Sequence, residues 1–339
     1  MSSRAVQLLI ATGSLLALLF GGYTVFWHLS VSGVQKGLER WASDHRERGS
    51  QVSLGRPTIS GFPFVVRIHF ERVDLAGQKN SWRWIAPQIV ASVRPWNRNR
   101  ISIKAPGMHT VKGFKNTKIL KLEDANAYFQ LRSGKLKTGV MRLAGITLTS
   151  PVSGSVTAQS LALEIKTDAN IQTRTNISAD NMALTIDVRG LSLPKASGLG
   201  LKEEISRLFV NAVVIGDIRF SDKLPGVLNR WREGGGSVEI NTLGLDWDPL
   251  SLRANGTLAL DETLQPQGAM SVEIEGLEPT LSALIEAGVI DARTAFAAKF
   301  ANRTFAVGGS KVRLPLSVQK QRLYIGPVPV WRLGQIRWK

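Results

Sequence analysis

Apolar and polar residues alternate with a period of two along much of the chain after about residue 50. The alternation is clearest in GFPFVVRIHF (61–70), NMALTIDV (181–188) and GAMSVEIEG (268–276), where every second residue is apolar. Successive side chains of a β-strand point to opposite faces of the sheet, so this pattern predicts strands with one buried and one solvated face. In the first stretch it places Phe62 and Phe64 in line with Val66.

PLSLRANGTLALD (249–261) offers a choice between a hairpin and one continuous strand. Asn-Gly is a strong signal for a two-residue hairpin turn. A turn at Asn255-Gly256 would mix leucine with charge on both faces, whereas a continuous strand keeps every second position apolar. We therefore predict one strand of about 12 residues, roughly 40 Å long. In such a strand Gly256→Ala is expected to be tolerated, because glycine is unfavourable in strand interiors.

The leucines of this predicted strand form a candidate apolar groove. They share one parity, and we expect them to line the concave face of the sheet, where a bulky residue at Gly256 would block a ligand. The predicted groove residues are Leu250, Leu252, Leu258 and Leu260.

The alternation slips by one residue at several places, always as apolar, two other residues, apolar, one other residue, apolar. An extra residue of this kind is what a β-bulge provides, although a loop between two strands would give the same pattern. Repeated bulges bend a sheet. We therefore predict a mainly β fold of long, bulged antiparallel strands that form a curved sheet or an open barrel or trough. The slips occur at Phe70–Val73–Leu75, Leu143–Ile146–Leu148, Ala158–Leu161–Leu163, Val188–Leu191–Leu193 and Ile240–Leu243–Leu245.

Helical patterns are scarce. Near the C-terminus, 280–301 predicts a small helix pair with a break at Gly288. At the N-terminus, Ala5–Gln35 contains no Asp, Glu, Lys or Arg and is long enough to cross a bilayer. A cleaved signal peptide has a shorter apolar core, so a retained anchor is favoured. Tyr23 and Trp27 are predicted to lie at the membrane interface.

These patterns predict a transmembrane signal anchor over 1–30, a juxtamembrane helix over 31–49 and an exported β-rich domain over 50–339. A weak boundary is predicted near residue 150, where SPVSGS (150–155) coincides with a change in charge. Arg4 and the amino terminus favour an N-terminus inside the cell, whereas the bases just beyond the span, Lys36, Arg40, Arg46 and Arg48, favour the opposite orientation. We expect the large domain to be exported, because a short tail followed by a long domain resembles a signal anchor and long domains translocate largely regardless of charge.

The net charge of +17 is concentrated in the first part of the chain. Residues 1–150 hold 22 Lys and Arg against 7 Asp and Glu, and 75–122 holds ten bases and no acid. Such one-sided charge favours an anionic partner, lipid headgroups or nucleic acid, although a solvated basic face is the simpler alternative. Trp82, Trp84 and Trp96 lie among these bases and suit a membrane interface, a nucleobase stack or the sheet core. Three arginines are predicted to bind an anionic surface: Arg94, Arg98 and Arg100.

The sequence offers no catalytic constellation. There is no cysteine, and the four histidines are scattered. Asp246 and Asp248 would share a strand face, but two carboxylates alone are weak evidence for a cation site. GGGS (234–237) lacks the lysine of a phosphate-binding loop and predicts a turn. We therefore predict no catalytic residue, no metal, no cofactor and no enzymatic activity.

Several stretches in a fixed order resemble a family of membrane-anchored alphaproteobacterial proteins known as a domain of unknown function. They are the anchor, GRPTISGFPFVVRIHFERVDL, GGGSVEINTLGLDWDPLSLRANGTLALDETLQPQGAMSVEIEGL and RLYIGPVPV. The C-terminal hairpin departs from it, since Gln319-Lys320-Gln321-Arg322 stands where a glycine turn is expected. The long strands are also similar to the AsmA-type envelope proteins, a likeness that implies lipid conduction.

The leading hypothesis is a single-pass protein of the bacterial inner membrane with a large periplasmic domain. We expect it to be a non-enzymatic envelope protein that binds or guides lipid or another amphipathic molecule. The alternatives are a tethered scaffold that binds an envelope protein partner at a sheet edge and, less favoured, a nucleic-acid-binding protein that uses 75–122.

Overall fold

The structure, a computed structural model, describes residues 3–78, 81–113, 116–152, 154–167, 181–193, 201–218, 224–288 and 311–338. The fold is mainly β and its strands pair antiparallel, as predicted. The chain divides into two compact units, Met1–Gly134 and Lys135–Lys339, called the first and second unit below. This division precedes the change in composition near residue 150.

In the first unit, the described residues form one long helix followed by nine strands. Its elements are α1 (Ser3–Glu47), β1 (Gln51–Ser53), β2 (Thr58–Ser60), β3 (Val66–Phe70), β4 (Val73–Ala76), β5 (Arg83–Ala86), β6 (Ile89–Arg94), β7 (Asn97–Lys104), β8 (Gly107–Lys112) and β9 (Thr117–Arg132).

Helix α1 is continuous across the predicted anchor and the predicted juxtamembrane helix. Trp27 and Val31 on one of its faces are buried against Val66, Phe70 and Ala86 of the strands. The same stretch of uncharged residues that is apolar enough to cross a membrane therefore ends inside the core of a folded unit. Burying an aromatic side chain in this way contributes about 3 kcal/mol to the free energy of unfolding.

The strands of the first unit form two branches that meet on β9. The beginning of β9 pairs with β8, and its later part pairs with β7. One branch continues from β7 through β6 and β3 to β2, and the other continues from β8 through β5 and β4 to β1. Three short breaks between consecutive strands lie side by side where the branches separate, at 71–72, 87–88 and 105–106. The slip at Phe70–Val73 is accordingly a joint between two strands.

The apolar stretch 61–70 differs from its prediction. β3 begins only at Val66, and the preceding residues form a turn in which the Val65 N–H donates to the Gly61 carbonyl over 3.0 Å. Gly61 has a φ of 99°, a conformation that favours glycine and ends the extended pattern. Phe62 and Phe64 thus lie in a turn with exposed rings, and their assignment to the strand is wrong.

The described part of the second unit is an antiparallel meander with two short helices. Each strand pairs with the next one in the sequence, from β10 to β19. The elements are β10 (Lys135–Ser150), β11 (Gly154–Thr167), β12 (Met182–Ser192), β13 (Glu204–Ile215), α2 (Leu224–Glu233), β14 (Ser237–Trp247), β15 (Leu250–Leu260), β16 (Pro266–Glu275), α3 (Leu277–Glu286), β17 (Lys311–Gln319), β18 (Arg322–Ile325) and β19 (Val328–Arg332).

Four of the predicted slips lie inside continuous strands. At Ile240–Leu243 the register between β14 and β15 shifts, which confirms a β-bulge. In β10, β11 and β12 the register is constant on both sides of the slips, because neighbouring strands each carry an extra residue at the same level. Two of these extra residues, Gly145 and Gly190, have φ values of 58° and 59°. Glycine is the residue that adopts this conformation without strain.

Asn255-Gly256 lies in the middle of β15, so the continuous strand is confirmed. Gly256 stands opposite Ile240 on β14 and Met270 on β16. Of the predicted C-terminal helix pair, α3 is present and its partner lies outside the described residues. The β17–β18 turn uses Lys320 and Gln321, with φ values of 48° and 59°, in place of the expected glycine.

Candidate functional site

Three rows of apolar residues run across eight consecutive strands of the second unit. Each member stands opposite the next in the strand register, so the rows lie on one face of the sheet, called the apolar face below. At about 4.8 Å between strands the rows extend roughly 34 Å. They consist of Met141, Leu163, Ile186, Val210, Leu243, Ala254, Val272 and Leu314; of Leu143, Leu161, Val188, Leu208, Leu245, Leu252, Ile274 and Val312; and of Gly139, Ile165, Leu184, Ala212, Ile240, Gly256, Met270 and Leu316.

Burial along the apolar face is uneven. On β16 and β17, Val272, Val312 and Leu314 are buried, whereas on β10 to β14 the row members are half-buried except for Gly139 and Ala212, which are buried. The predicted groove residues Leu250, Leu252, Leu258 and Leu260 are all half-buried and share the apolar parity of β15. An aliphatic side chain in a closed core is normally almost fully buried. The apolar face therefore retains accessible aliphatic surface.

The opposite face of the same strands is polar and cross-linked by ion pairs. Arg207 donates to Asp187 over 2.9 and 3.0 Å, and these hydrogen bonds, together with the positive charge, lower the pKa of the Asp187 carboxyl. Glu273 accepts a hydrogen bond from Arg313, which lowers the pKa of Glu273. Charged side chains on this face keep it in water, so the two faces of the sheet differ sharply in polarity.

Asp246 and Asp248, considered above as cation ligands, are each occupied by a basic side chain. Arg253 lies 2.7 Å from Asp246, and Lys202 lies 2.5 Å from Asp248. Among the described residues no group of three or more His, Cys, Asp or Glu side chains could hold a metal ion.

Helix α2 packs at one end of the second unit through Trp231. Its indole N–H donates to the Ile215 carbonyl over 2.9 Å, and the ring lies directly against Gly236. A Cβ at Gly236 would lie 2.3 Å from the ring. The glycine run 234–236 ends the helix, and its last member leaves space for the indole.

Gly256 marks a close approach between β15 and β16 within the apolar face. A Cβ at this position would lie 2.2 Å from the Ala269 carbonyl oxygen and 2.6 Å from the Met270 Cα. Gly268, two residue pairs away, has the same kind of constraint from the Thr257 carbonyl oxygen. The expectation that Gly256→Ala is tolerated is therefore wrong, because the opposing atoms belong to the backbone.

Around α1, the two predicted membrane-interface residues have different surroundings. Trp27 is only 7% exposed and packs in the first unit's core, with the Phe62 ring centroid 5.3 Å away, so its predicted place among lipid headgroups is corrected to a place in protein. Tyr23 is half-buried, and its hydroxyl donates to the Pro63 carbonyl. The alternating pattern assigned Phe62 and Phe64 to a strand, so the sequence interpretation missed their actual position. The signal that the sequence did offer was the large size of these two side chains.

The structure places Arg94 and Arg98 together on the β6–β7 hairpin and Arg100 further along β7. Arg94 pairs with Asn97 across a two-residue turn, and all three arginine side chains are exposed. Trp96 occupies the turn and is exposed, whereas Trp84 lies parallel to the buried His109 ring at 5.8 Å. The tryptophans of the basic window thus have separate surroundings and form no continuous stacking surface.

Among the side chains of the first unit that the structure describes, His109 is the buried titratable group. Its Nε2 lies 2.8 Å from the Ala105 carbonyl oxygen, so this nitrogen carries the proton, and Nδ1 has no partner among the described residues. Burial lowers the pKa of the imidazole, and the hydrogen bond to Ala105 partly offsets that effect. The neutral ring has a structural role between Trp84 and the joint of β7 and β8.

Comparison with known proteins identifies a family. No curated protein and no solved structure matches the chain. A bacterial family does match, over residues 27–333, which includes the later part of α1 and the strands from β1 to β19. The chain belongs to the family described as "Uncharacterized protein conserved in bacteria (DUF2125)".

Proposed function

We propose that this protein is a non-enzymatic, membrane-anchored envelope protein that binds the acyl part of a lipid on the apolar face of its second unit. The observation that carries this proposal is the set of aliphatic rows that cross eight strands and remain half-buried over most of their length. Each methylene group moved from water onto such a surface contributes up to about 0.8 kcal/mol.

The distribution of polarity supports a lipid more than a polar ligand. The apolar face has no charged member in its three rows, and the ion pairs lie on the opposite face. An acyl chain needs contact without hydrogen-bond partners, which rows of Leu, Ile and Val supply. A curved sheet, as the bulges predict, would follow such a chain along the rows.

The second element of the proposal is the anchor. α1 contains a segment long and apolar enough to cross a membrane. We place it in the bacterial inner membrane as a single-pass anchor, with both units in the periplasm. Alkaline phosphatase fused after Ser50 should then be active. An inactive fusion, combined with an active cytoplasmic reporter at the same position, would contradict this topology.

Lipid analysis of the purified protein tests the binding site. The full chain is extracted in detergent, and its bound lipid is quantified by mass spectrometry beside a variant with Leu252→Ser and Leu258→Ser. Lipid held around α1 is common to both proteins, so the proposal predicts a loss confined to the variant. The matched control, Arg253→Ser with Thr257→Ser, changes the opposite face of the same strand. Equal lipid in all three proteins would overturn the site.

A protein-binding scaffold is the second candidate. Among the described strands, β19 pairs only with β18, and its Val328 and Trp331 side chains are exposed. An exposed strand edge with apolar side chains can accept a further strand from a partner. Trp331→Ser would then abolish partner capture while leaving bound lipid unchanged.

Nucleic-acid binding, the least favoured alternative, would weaken steeply with salt.

A further inference from the structure

We infer that the first unit docks directly on the bilayer surface, with Phe64 and Trp96 inserted among the lipids beside α1. The inference rests on the anchor in the proposed function and is independent of what the apolar face of the second unit binds. It assigns a lipid-contacting role to two residues that lie outside the transmembrane helix.

The position of these residues along α1 carries the inference. Leu16, Phe20 and Tyr23 of the helix line one apolar cavity together with Phe64 and Trp96. A span of about 20 residues that starts after Arg4 ends near Thr24. Leu16 and Phe20 therefore lie in the second half of that span, about 5–10 Å before Tyr23 at 1.5 Å per residue. Residues that pack beside them reach the same depth.

Exposure of large apolar rings supports the same conclusion. Phe64 is 71% exposed and Trp96 is 56% exposed, although both stand on turns of a folded unit whose core is close by. The turn carrying Phe64 is fixed to the helix, because Tyr23 donates to the Pro63 carbonyl and Phe62 packs against Trp27. A fixed, exposed aromatic cluster beside a membrane helix is the arrangement expected at the bilayer interface.

Charge near the cluster is complementary to a lipid surface. Arg94 and Arg98 flank Trp96 on the hairpin and are exposed, and no acid occurs between Asp74 and Glu123 in the sequence. Arginines beside an inserted ring reach the phosphate level, where each contributes about 1 kcal/mol on an anionic leaflet. The ligand of this surface is therefore a lipid bilayer.

The experiment uses site-directed spin labelling. Because the chain has no native cysteine, the label attaches only to the cysteine that is introduced. Single cysteines replace Phe64, Trp96, Leu18 or Trp82 in the full chain, which is labelled with a nitroxide and reconstituted into phosphatidylethanolamine–phosphatidylglycerol vesicles. Collisions with oxygen, which concentrates in lipid, are compared with collisions with a water-soluble nickel chelate. Leu18, 74% exposed on α1, reports the anchor.

Trp82 is the matched control because it is also an exposed aromatic residue of the first unit, at 46%. It lies at the other end of α1, since Gln78 in the same turn donates to the Arg48 carbonyl. Arg48 is about 37 Å from Tyr23 along the helix axis. Trp82 should therefore remain in water.

The inference predicts that labels at Phe64 and Trp96 meet oxygen more often than nickel, as Leu18 does, while the Trp82 label shows the reverse. A lipid signal at Leu18 with a water signal at Phe64 and Trp96 would overturn the docking and leave the anchor standing. Water signals at all four sites would overturn the anchor itself. Exclusion of both reagents at Phe64 would indicate a protein partner and would also overturn the inference.

Discussion

Gly256 of β15 stands opposite Met270 of β16, and no space remains between them for a side chain at Gly256. The Met270 Cα would lie 2.6 Å from a Cβ added to the glycine. Glycine at position 256 therefore permits close strand packing inside a continuous strand, and no turn is involved.

Gly256→Ala should destabilise the second unit by about 1–3 kcal/mol, the usual effect of overpacking against atoms that cannot move away. Chemical denaturation of the full chain measures this change. Gly244→Ala on the neighbouring strand is the control, because its Cβ would meet Arg253 at 3.5 Å, an ordinary contact. Equal stability of the two variants would show that β16 moves aside easily.

Trp27→Ala should lower the free energy of unfolding of the first unit by about 3–5 kcal/mol, since it removes a buried aromatic ring from the core. Leu29→Ala, two residues along α1, removes an exposed side chain and should change little. Thermal unfolding in detergent distinguishes them. Similar melting temperatures would place Trp27 outside the core and restore its predicted role at the membrane interface.

The first unit should lose stability as pH falls below about 6.5, the ordinary pKa of histidine. Because burial lowers the pKa of His109 in the folded state, the unfolded chain binds a proton first, and protonation favours unfolding. The slope approaches about 1.4 kcal/mol per pH unit until the folded state also titrates.

His109→Phe keeps a ring against Trp84 and should flatten this pH dependence between pH 7.5 and 5.5 in thermal unfolding. His69→Gln, at a partly exposed histidine that contacts Ser60, serves as the control and should keep the slope of the parent protein. A slope that survives His109→Phe unchanged would assign the effect to other groups.

Replacing Arg94, Arg98 and Arg100 by alanine should weaken binding to anionic vesicles roughly a hundredfold at low salt, at about 1 kcal/mol for each arginine. The binding assay uses a chain shortened to begin at Gly22, which keeps Trp27 in place and removes most of the uncharged segment. Lys112, Lys118 and Lys121, changed to alanine together, remove equal charge from the β8–β9 hairpin. If both triple variants bind alike, the arginines act only through net charge.

The alternation of apolar and polar residues was sufficient to predict those structural features that depend on neighbours along the chain. Parity predicted the course of β15 through Gly256, and the slip at Ile240 predicted the bulge in β14. It failed where contacts between distant segments decide the structure. Phe62 and Phe64 share the parity of β3 but lie in a turn, and Trp27 is buried because strands far along the chain cover it.

The candidate surface could be predicted in part for the same reason. Leu250, Leu252, Leu258 and Leu260 were assigned to one face by parity alone. The rows that extend this face over seven other strands depend on strand register, which a single sequence does not reveal. The close approach at Gly256 likewise depends on the backbone of a neighbouring strand.

Photo-crosslinking in living cells tests the central claim most directly. A benzophenone amino acid at Leu252 faces the apolar rows, and the same probe at Arg253 faces the opposite, charged side of β15. Lipid binding on the apolar face predicts light-dependent attachment of lipid, detected by mass spectrometry, at Leu252 and not at Arg253. Absence of lipid at Leu252, or equal amounts at the two positions, would contradict it.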